Sequence, residues 1–362
     1  MRSRSKRSIL LFVALAWCAV AGFLPWSGAS AQVAAMGRFF PDGDKPAEGF
    51  PYLQGASKAQ AEQGWLLYQK NMGQPMAQWA RSEIRFPGGG TVLYPFSGPD
   101  LVTLLQLFPN AGRYVMVANQ FAGEPAAVGK MSATRLQNFQ AKFLREWLKF
   151  TRLGFFRTDD LNDDQRDQRA QIGVTTILIS FALFAGYDVV DVHPIVLEPQ
   201  AGHYVRASGP WKSVRLVLRK GDASTTVDYV SVDLSDGFLN QNQGAREWLA
   251  NMSRNPILLK AASHLLQMPS FTVLRDILAN NVTMVVQDET GLDYSVLSRI
   301  GNVELYGNFL YPHELFNRNR QASLAAAYKA SKTVKPLPFA FSYNKTNERR
   351  ALQVVRRGTV AQ

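Results

Sequence analysis

Serine and carboxylate residues that directly follow predicted strands are the side chains of this sequence best suited to chemistry. Ser97 and Asp100 follow an apolar run over 91–96, and Asp288 and Glu289 follow another over 282–287. A serine on a strand-to-helix turn can be a nucleophile, and paired carboxylates can act as acid and base on a glycan. One hypothesis is therefore a hydrolase of an envelope ester or glycan that uses Ser97 or Asp288.

Each of these residues also has a structural interpretation, which we favour. Pro95 and Pro99 stand where a nucleophile turn needs small residues. Ser97 and Asp100 have the spacing of a capping box, in which the serine caps the helix that follows. The Asp288-Glu289-Thr290-Gly291 run has the composition of a turn.

Further candidates for ligand binding come from fold-level reasoning. In an open parallel sheet, ligands bind beyond the carboxyl ends of the strands. Polar residues after the strands predicted over 113–119, 282–287 and 337–343 would share that edge. The candidates are Asn119, Gln120, Glu124, Asp293 and Lys345.

The sequence predicts neither a metal site nor a cofactor. Asp160, Asn162 and Asp164 have calcium-loop spacing, but Gln165 stands in place of the required glycine. No two histidines have metalloprotease spacing. His264 is expected at the solvent-exposed edge of a helix predicted over 256–268.

A nucleotide-binding loop is likewise incomplete. The strand-turn-helix segment at 91–108 has Gly98 but no G-x-G pattern. This segment faintly resembles the binding loop of nucleotide-type or methyltransferase-type folds. A second hypothesis is therefore a descendant of such a fold that has lost its cofactor.

Alternating strands and helices predict a layered α/β fold with a largely parallel central sheet. Strands are predicted over 91–96, 113–119, 189–197, 282–287 and 337–343. An added β-hairpin is predicted from 214–219 and 225–232. The main helices are expected over 59–80, 97–108, 132–151, 171–187, 244–252, 256–268, 271–279 and 321–330.

Three short segments carry a resemblance. They are Tyr94-Pro95-Phe96-Ser97-Gly98-Pro99-Asp100, Val286-Gln287-Asp288-Glu289-Thr290-Gly291 and Pro336-Leu337-Pro338-Phe339. Together they resemble segments of a group of exported bacterial proteins of uncharacterised function. The similarity runs from about residue 90 to 343, and it implies export but no known activity.

The N-terminus predicts export by itself. A basic start precedes the apolar run 9–25, and Ala29-Ser30-Ala31 forms a cleavage site. We expect cleavage after Ala31, a periplasmic or secreted mature chain, and no stable transmembrane segment. A retained anchor is the alternative; a lipoprotein is disfavoured because Trp17 precedes Cys18. Cys18 is the single cysteine, so the chain cannot form an internal disulfide.

The expected organisation has four parts: a signal peptide (1–31), a linker and helical segment (32–88), one α/β domain (89–343) and a basic C-terminal tail (344–362). The formal net charge is +12. A basic surface without an aromatic-basic motif does not predict nucleic-acid binding in an exported chain. The favoured hypothesis is therefore non-catalytic binding of an envelope glycan, lipid or protein partner.

Overall fold

The computed structural model describes residues 52–126, 131–154, 173–198, 203–316, 318, 321–343 and 350–358. Its strands are β1 Gly89–Pro95, β2 Ala111–Ala118, β3 Asp188–Glu198, β4 His203–Arg206, β5 Ser213–Lys220, β6 Ala223–Ser231, β7 Pro256–Leu259, β8 Met284–Gln287, β9 Val303–Gly307 and β10 Ala351–Arg356. Its α-helices are α1 Gly55–Tyr68, α2 Gln74–Glu83, α3 Leu101–Leu107, α4 Ala133–Leu153, α5 Val174–Phe184, α6 Asp236–Leu239, α7 Gln243–Met252, α8 Thr272–Asn281, α9 Tyr294–Ile300 and α10 Ala322–Ala330. A π-helix, Gln69–Gly73, joins α1 to α2.

All ten strands form one mixed sheet in the order β4-β3-β5-β6-β2-β1-β7-β8-β10-β9. The α/β class is confirmed, but the expectation of a largely parallel sheet is wrong. The neighbouring strands β6, β2, β1, β7 and β8 pair in parallel, and the remaining pairings are antiparallel. The β5–β6 hairpin is confirmed, and it joins the sheet because β6 pairs with β2 and β5 pairs with β3. A two-residue hairpin joins antiparallel strands. The inserted β5–β6 hairpin and the β9–β10 pair therefore add antiparallel pairings to the sheet.

The sheet is covered on both faces. Successive strand residues point to opposite sides, so Val92 and Tyr94 contribute to one core while Leu93 contributes to the other. Helices α1 to α5 supply buried side chains to the first core, and α6 to α9 supply them to the second. This arrangement places helices on opposite sides of neighbouring parallel strands.

Helix α4 shows how local sequence sets the first core. Ser132 accepts a hydrogen bond from the backbone N–H of Arg135, and Gly154 ends the helix with a left-handed φ of 78°. Phe139, Phe143 and Trp147 form its buried stripe. The predicted helix is confirmed, and it packs against α1.

Helix α5 is confirmed as a buried helix. All residues of this helix from 174 to 182 are buried. No helix among the described residues is both long enough and apolar enough to span a membrane.

Two predicted elements differ in the structure. The apolar start of the helix predicted over 256–268 is instead β7, buried between β1 and β8; a short apolar run does not separate the two states by itself. The strand predicted over 337–343 is not formed. Leu337, Phe339 and Phe341 do alternate into the core, but a strand also needs partners for its backbone.

The C-terminal strand β10 was not predicted from the sequence. Residues 351–356 fall within the predicted basic tail, whereas the structure places them inside the sheet as β10, between β8 and β9. Val354 and Val355 are fully buried. The segment expected as a linker and helix also contributes core residues, including Tyr68 and Trp79. The predicted signal peptide lies outside the described residues.

Candidate functional site

The parallel strands create a topological switch point between β1 and β7. In chain order, the five parallel strands follow the pattern 3-2-1-4-5 across the sheet. Helix α3, after β1, packs in the first core, and α8, which leads from β7 to β8, packs in the second. Chains that leave neighbouring strands toward opposite faces open a crevice at their carboxyl ends, where such sheets bind ligands.

Lys260, the residue directly after β7, occupies this crevice. Its side chain is 2% exposed. The ammonium Nζ donates to Asp100 Oδ2 at 2.7 Å, to Thr103 Oγ1 at 2.7 Å and to the Gly154 carbonyl. These three acceptors match the three hydrogens of the ammonium group. The Phe341 ring lies 5.4 Å from Nζ.

The Asp100 carboxylate completes the network. Oδ1 accepts from the Thr103 backbone N–H at 3.3 Å, and Oδ2 lies 3.3 Å from the donating Tyr94 hydroxyl. Burial raises the pKa of Asp100, and the Lys260 ammonium opposes that rise. We call Tyr94, Asp100, Thr103 and Lys260 the switch-point cluster.

A side chain caps the helix after β1, as predicted, but the capping residue is not Ser97. Asp100 is itself the N-cap of α3. Ser97 is buried, and its hydroxyl lies 3.5 Å from the Val117 carbonyl oxygen. No histidine among the described residues forms a hydrogen bond to Ser97.

Asp288 connects the loops after β7 and β8. Its Oδ2 accepts from the Ala261 backbone N–H at 2.7 Å. Its Oδ1 accepts from the backbone N–H and the hydroxyl of Thr290, at 2.8 and 2.5 Å. The turn interpretation therefore fits the contacts of Asp288. Glu289 is also buried, and its carbonyl accepts from Gln321 Nε2 at 2.5 Å.

The loop held by Asp288 is conformationally unusual. Ala261, Ser263 and His264 all have positive φ values, between 52° and 59°. Non-glycine residues rarely adopt this region, and such strain concentrates at sites where the surrounding structure enforces it. The contacts of Asp288 and Thr290 with this loop supply that constraint.

His264 is buried, which corrects the expectation of an exposed helix edge. Gln267 Nε2 donates to the Gly291 carbonyl, so its Oε1 faces His264 Nδ1 at 3.2 Å. Gln321 Nε2 lies 3.4 Å from the same Nδ1, and His264 Nε2 has no hydrogen-bond partner. Burial lowers the pKa of His264, opposed by Gln267 and the charge of Asp288.

The predicted ligand-binding residues that the structure describes do not join the switch-point cluster. Asn119 and Glu124 are exposed. The Gln120 carbonyl accepts a hydrogen bond from the Tyr229 hydroxyl. Asp293 caps α9 through the Ser295 backbone N–H. Lys345 lies outside the described residues, as do Asp160, Asn162 and Asp164.

The sequence analysis missed Lys260 as a site residue. Asp100 and Asp288 were found because both follow parallel strands. Lys260 has the same relationship to β7, but the helix predicted there concealed it. Across the described ranges, no three His, Cys, Asp or Glu side chains are grouped so as to hold a metal ion.

Comparison of the chain with protein-family models, curated proteins and solved structures finds no match.

Proposed function

We propose that this chain is an exported cell-envelope protein that binds a partner without catalysing a reaction. The parallel strands have an order that nucleotide-binding sheets also use, and Lys260 with its partners lies where such sheets would hold a cofactor. The parallel order 3-2-1-4-5 supports descent from such a fold. The resemblance to exported bacterial proteins and the predicted signal peptide support export.

The ion pair between Lys260 and Asp100 is the observation that carries this proposal. All three donors of Lys260 are engaged within the protein. A ligand phosphate in the crevice would have to displace Lys260 and leave the Asp100 carboxylate buried without its counter-ion. Separating a buried pair in this way is strongly unfavourable.

No observation favours the hydrolase hypothesis over binding. Ser97 faces a carbonyl oxygen, and both carboxylate oxygens of Asp288 accept hydrogen bonds from neighbouring loops. A general base must reach the proton that it removes. An enzyme at this edge would therefore need these contacts to rearrange.

The binding proposal is tested by thermal denaturation of the mature chain, from Gln32 onward. ATP, NAD and S-adenosylmethionine form one ligand panel; envelope glycans and lipids form the other. A ligand specific for the native state raises the midpoint with concentration. We expect shifts from the second panel alone. A dose-dependent shift by a nucleotide would refute the cofactor-free interpretation.

Export is tested separately. The full-length chain with a C-terminal tag is expressed in a Gram-negative host, and the periplasmic fraction is analysed by N-terminal sequencing. We expect the mature chain to start at Gln32. Recovery of the intact N-terminus in the cytoplasm alone would contradict the predicted signal peptide.

A further inference from the structure

A cleft between α1, the π-helix, α4 and the chain before β10 offers a separate binding surface. Its volume is about 670 Å³, which lies within the usual range for small-molecule pockets. Leu67, Met72 and Leu148 line it on the helical side, and Pro338 and Ala340 line the opposite side. The cleft is therefore largely apolar.

Arg350 supplies a cation to this apolar cleft. Its Nε is buried and has no hydrogen-bond partner. Arginine stays charged in proteins, and an unpaired buried N–H of a charged group is costly. The backbone of Arg350 is fixed, because its carbonyl accepts from the Asn308 N–H at 2.7 Å and β10 begins at the next residue. Arg152 lines the same cleft.

The helical wall of the cleft has two further features. Asn71 and Met72 belong to the π-helix, a rare conformation that frequently occurs at functional sites. Leu67, which lines the cleft, is 54% exposed, so part of the apolar lining is open to solvent.

From these observations we propose that the cleft binds an anionic amphiphile, with its carboxylate or phosphate on Arg350 and its alkyl chain along Leu67, Met72 and Leu148. The apolar lining accounts for the alkyl chain, and the positive charge of Arg350, which lines the cleft, accounts for the anionic group. This inference rests on the proposed binding function and names its ligand class.

The cleft adjoins the switch-point cluster without sharing its polar groups. A Cβ on Gly154 would lie 3.2 Å from Met72 Sδ, and the Gly154 carbonyl accepts from Lys260. Met72, which lines the cleft, therefore lies close to Gly154, whose backbone holds Lys260. Lys260 itself does not line the cleft.

The test measures binding of dodecanoate and dodecyl phosphate to the mature chain by isothermal titration calorimetry, below their micelle concentrations. Dodecyl maltoside and dodecyltrimethylammonium test the charge requirement, while acetate and inorganic phosphate test the need for the alkyl chain. We expect both anionic amphiphiles to bind at least about tenfold more tightly than the other four, corresponding to about 1.4 kcal/mol.

Matched variants locate the site. Arg350→Gln and Leu67→Glu should each weaken binding by about tenfold or more, because one removes the cation and the other adds a repelling charge. Leu66→Glu adds the same charge to an exposed neighbour that does not line the cleft, and Arg219→Gln removes a remote, exposed arginine. Both controls should bind as the parent does, and circular dichroism checks that every variant is folded.

Three results would overturn the inference: no binding of either anionic amphiphile to the folded chain, equal binding of dodecyl maltoside, or equal losses in Leu66→Glu and Leu67→Glu. None of these would refute the binding function, because a glycan or protein could still bind elsewhere. A nucleotide that stabilises the chain would refute the cofactor-free interpretation while leaving the cleft result intact.

Discussion

The ammonium of Lys260 lies 2.7 Å from the carboxylate of Asp100, and both side chains are 2% exposed. The pair joins the loop after β1 to the loop after β7, and through the Gly154 carbonyl it also holds the end of α4. It therefore connects the parallel strands to the helical layer at the carboxyl ends of the strands, the position where open α/β sheets bind ligands.

The first prediction concerns the cost of breaking this pair. Lys260→Met leaves a buried carboxylate without its counter-ion and should lower the free energy of unfolding by about 3–5 kcal/mol. Asp100→Asn retains a capping side chain but leaves the ammonium unpaired. The double variant removes both charges, so its loss should be smaller than the sum by about 1–3 kcal/mol.

Urea unfolding followed by circular dichroism measures these differences. The pair formed by Arg219 and Asp188 is the control, because it spans 3.6 Å with side chains 58% and 56% exposed. Breaking that pair should cost about 0–1 kcal/mol. Equal losses at the two pairs would show that Lys260 is not an internal structural cation.

The second prediction concerns pH. Burial lowers the pKa of His264 below its ordinary 6.5. Below about pH 6.5 the unfolded chain then binds more protons than the native chain, so stability falls as the pH falls from 7.5 toward 5. His264→Asn removes the titrating ring, tolerates a positive φ, and should flatten the slope.

Thermal midpoints measured across this range test the assignment. Burial also lowers the pKa of His193, as does the nearby Arg206, so His193→Asn should remove a further part of the same slope. The pKa values of Glu83 and Glu304 are lowered from 4.5, so their effects lie at lower pH. An unchanged slope in both histidine variants would contradict this assignment.

The third prediction concerns Gly307, at the end of β9. Its φ is +79°, and a Cβ there would lie 2.0 Å from the Arg350 carbonyl oxygen. Gly307→Ala should therefore destabilise the protein by about 2–5 kcal/mol, combining backbone strain with steric overlap. Gly221 has a φ of +58° with no atom within 4 Å of such a Cβ.

Gly221→Ala is thus a control for backbone strain without overlap, and it should cost about 1 kcal/mol. Chemical denaturation of both variants separates the two contributions. Similar losses would indicate that the chain before β10 moves easily away from Gly307, and would contradict the close approach seen here.

The fourth prediction concerns the C-terminus. A chain that stops after Tyr343 lacks β10, which leaves β8 and β9 without the strand between them. Exposed strand edges promote aggregation. We expect this chain to be insoluble or to unfold without cooperativity, whereas a chain that stops after Gly358 should unfold as the full chain does. Cooperative unfolding of the shorter chain would contradict an integral β10.

Local sequence pattern was sufficient to predict the elements in which apolar residues recur regularly along a clearly bounded segment. Helix α4 has Ser132 before it, Gly154 after it and an aromatic stripe between them, and these signals act within the element itself. The β5–β6 hairpin is equally local, because its alternation and the Lys220-Gly221-Asp222 turn are adjacent in the chain. The positions of Asp100 and Asp288 after parallel strands followed from the same reasoning.

Tertiary structure decided the remainder. The run at 256–259 became β7 because β1 and β8 supply partners on both sides, and β10 lies in the sheet because β8 and β9 do the same. The contacts of Lys260 with Asp100 and Gly154 join residues 160 and 106 positions apart. Side-chain spacing along the chain cannot encode such distances, since they depend on how the strands are ordered in the sheet.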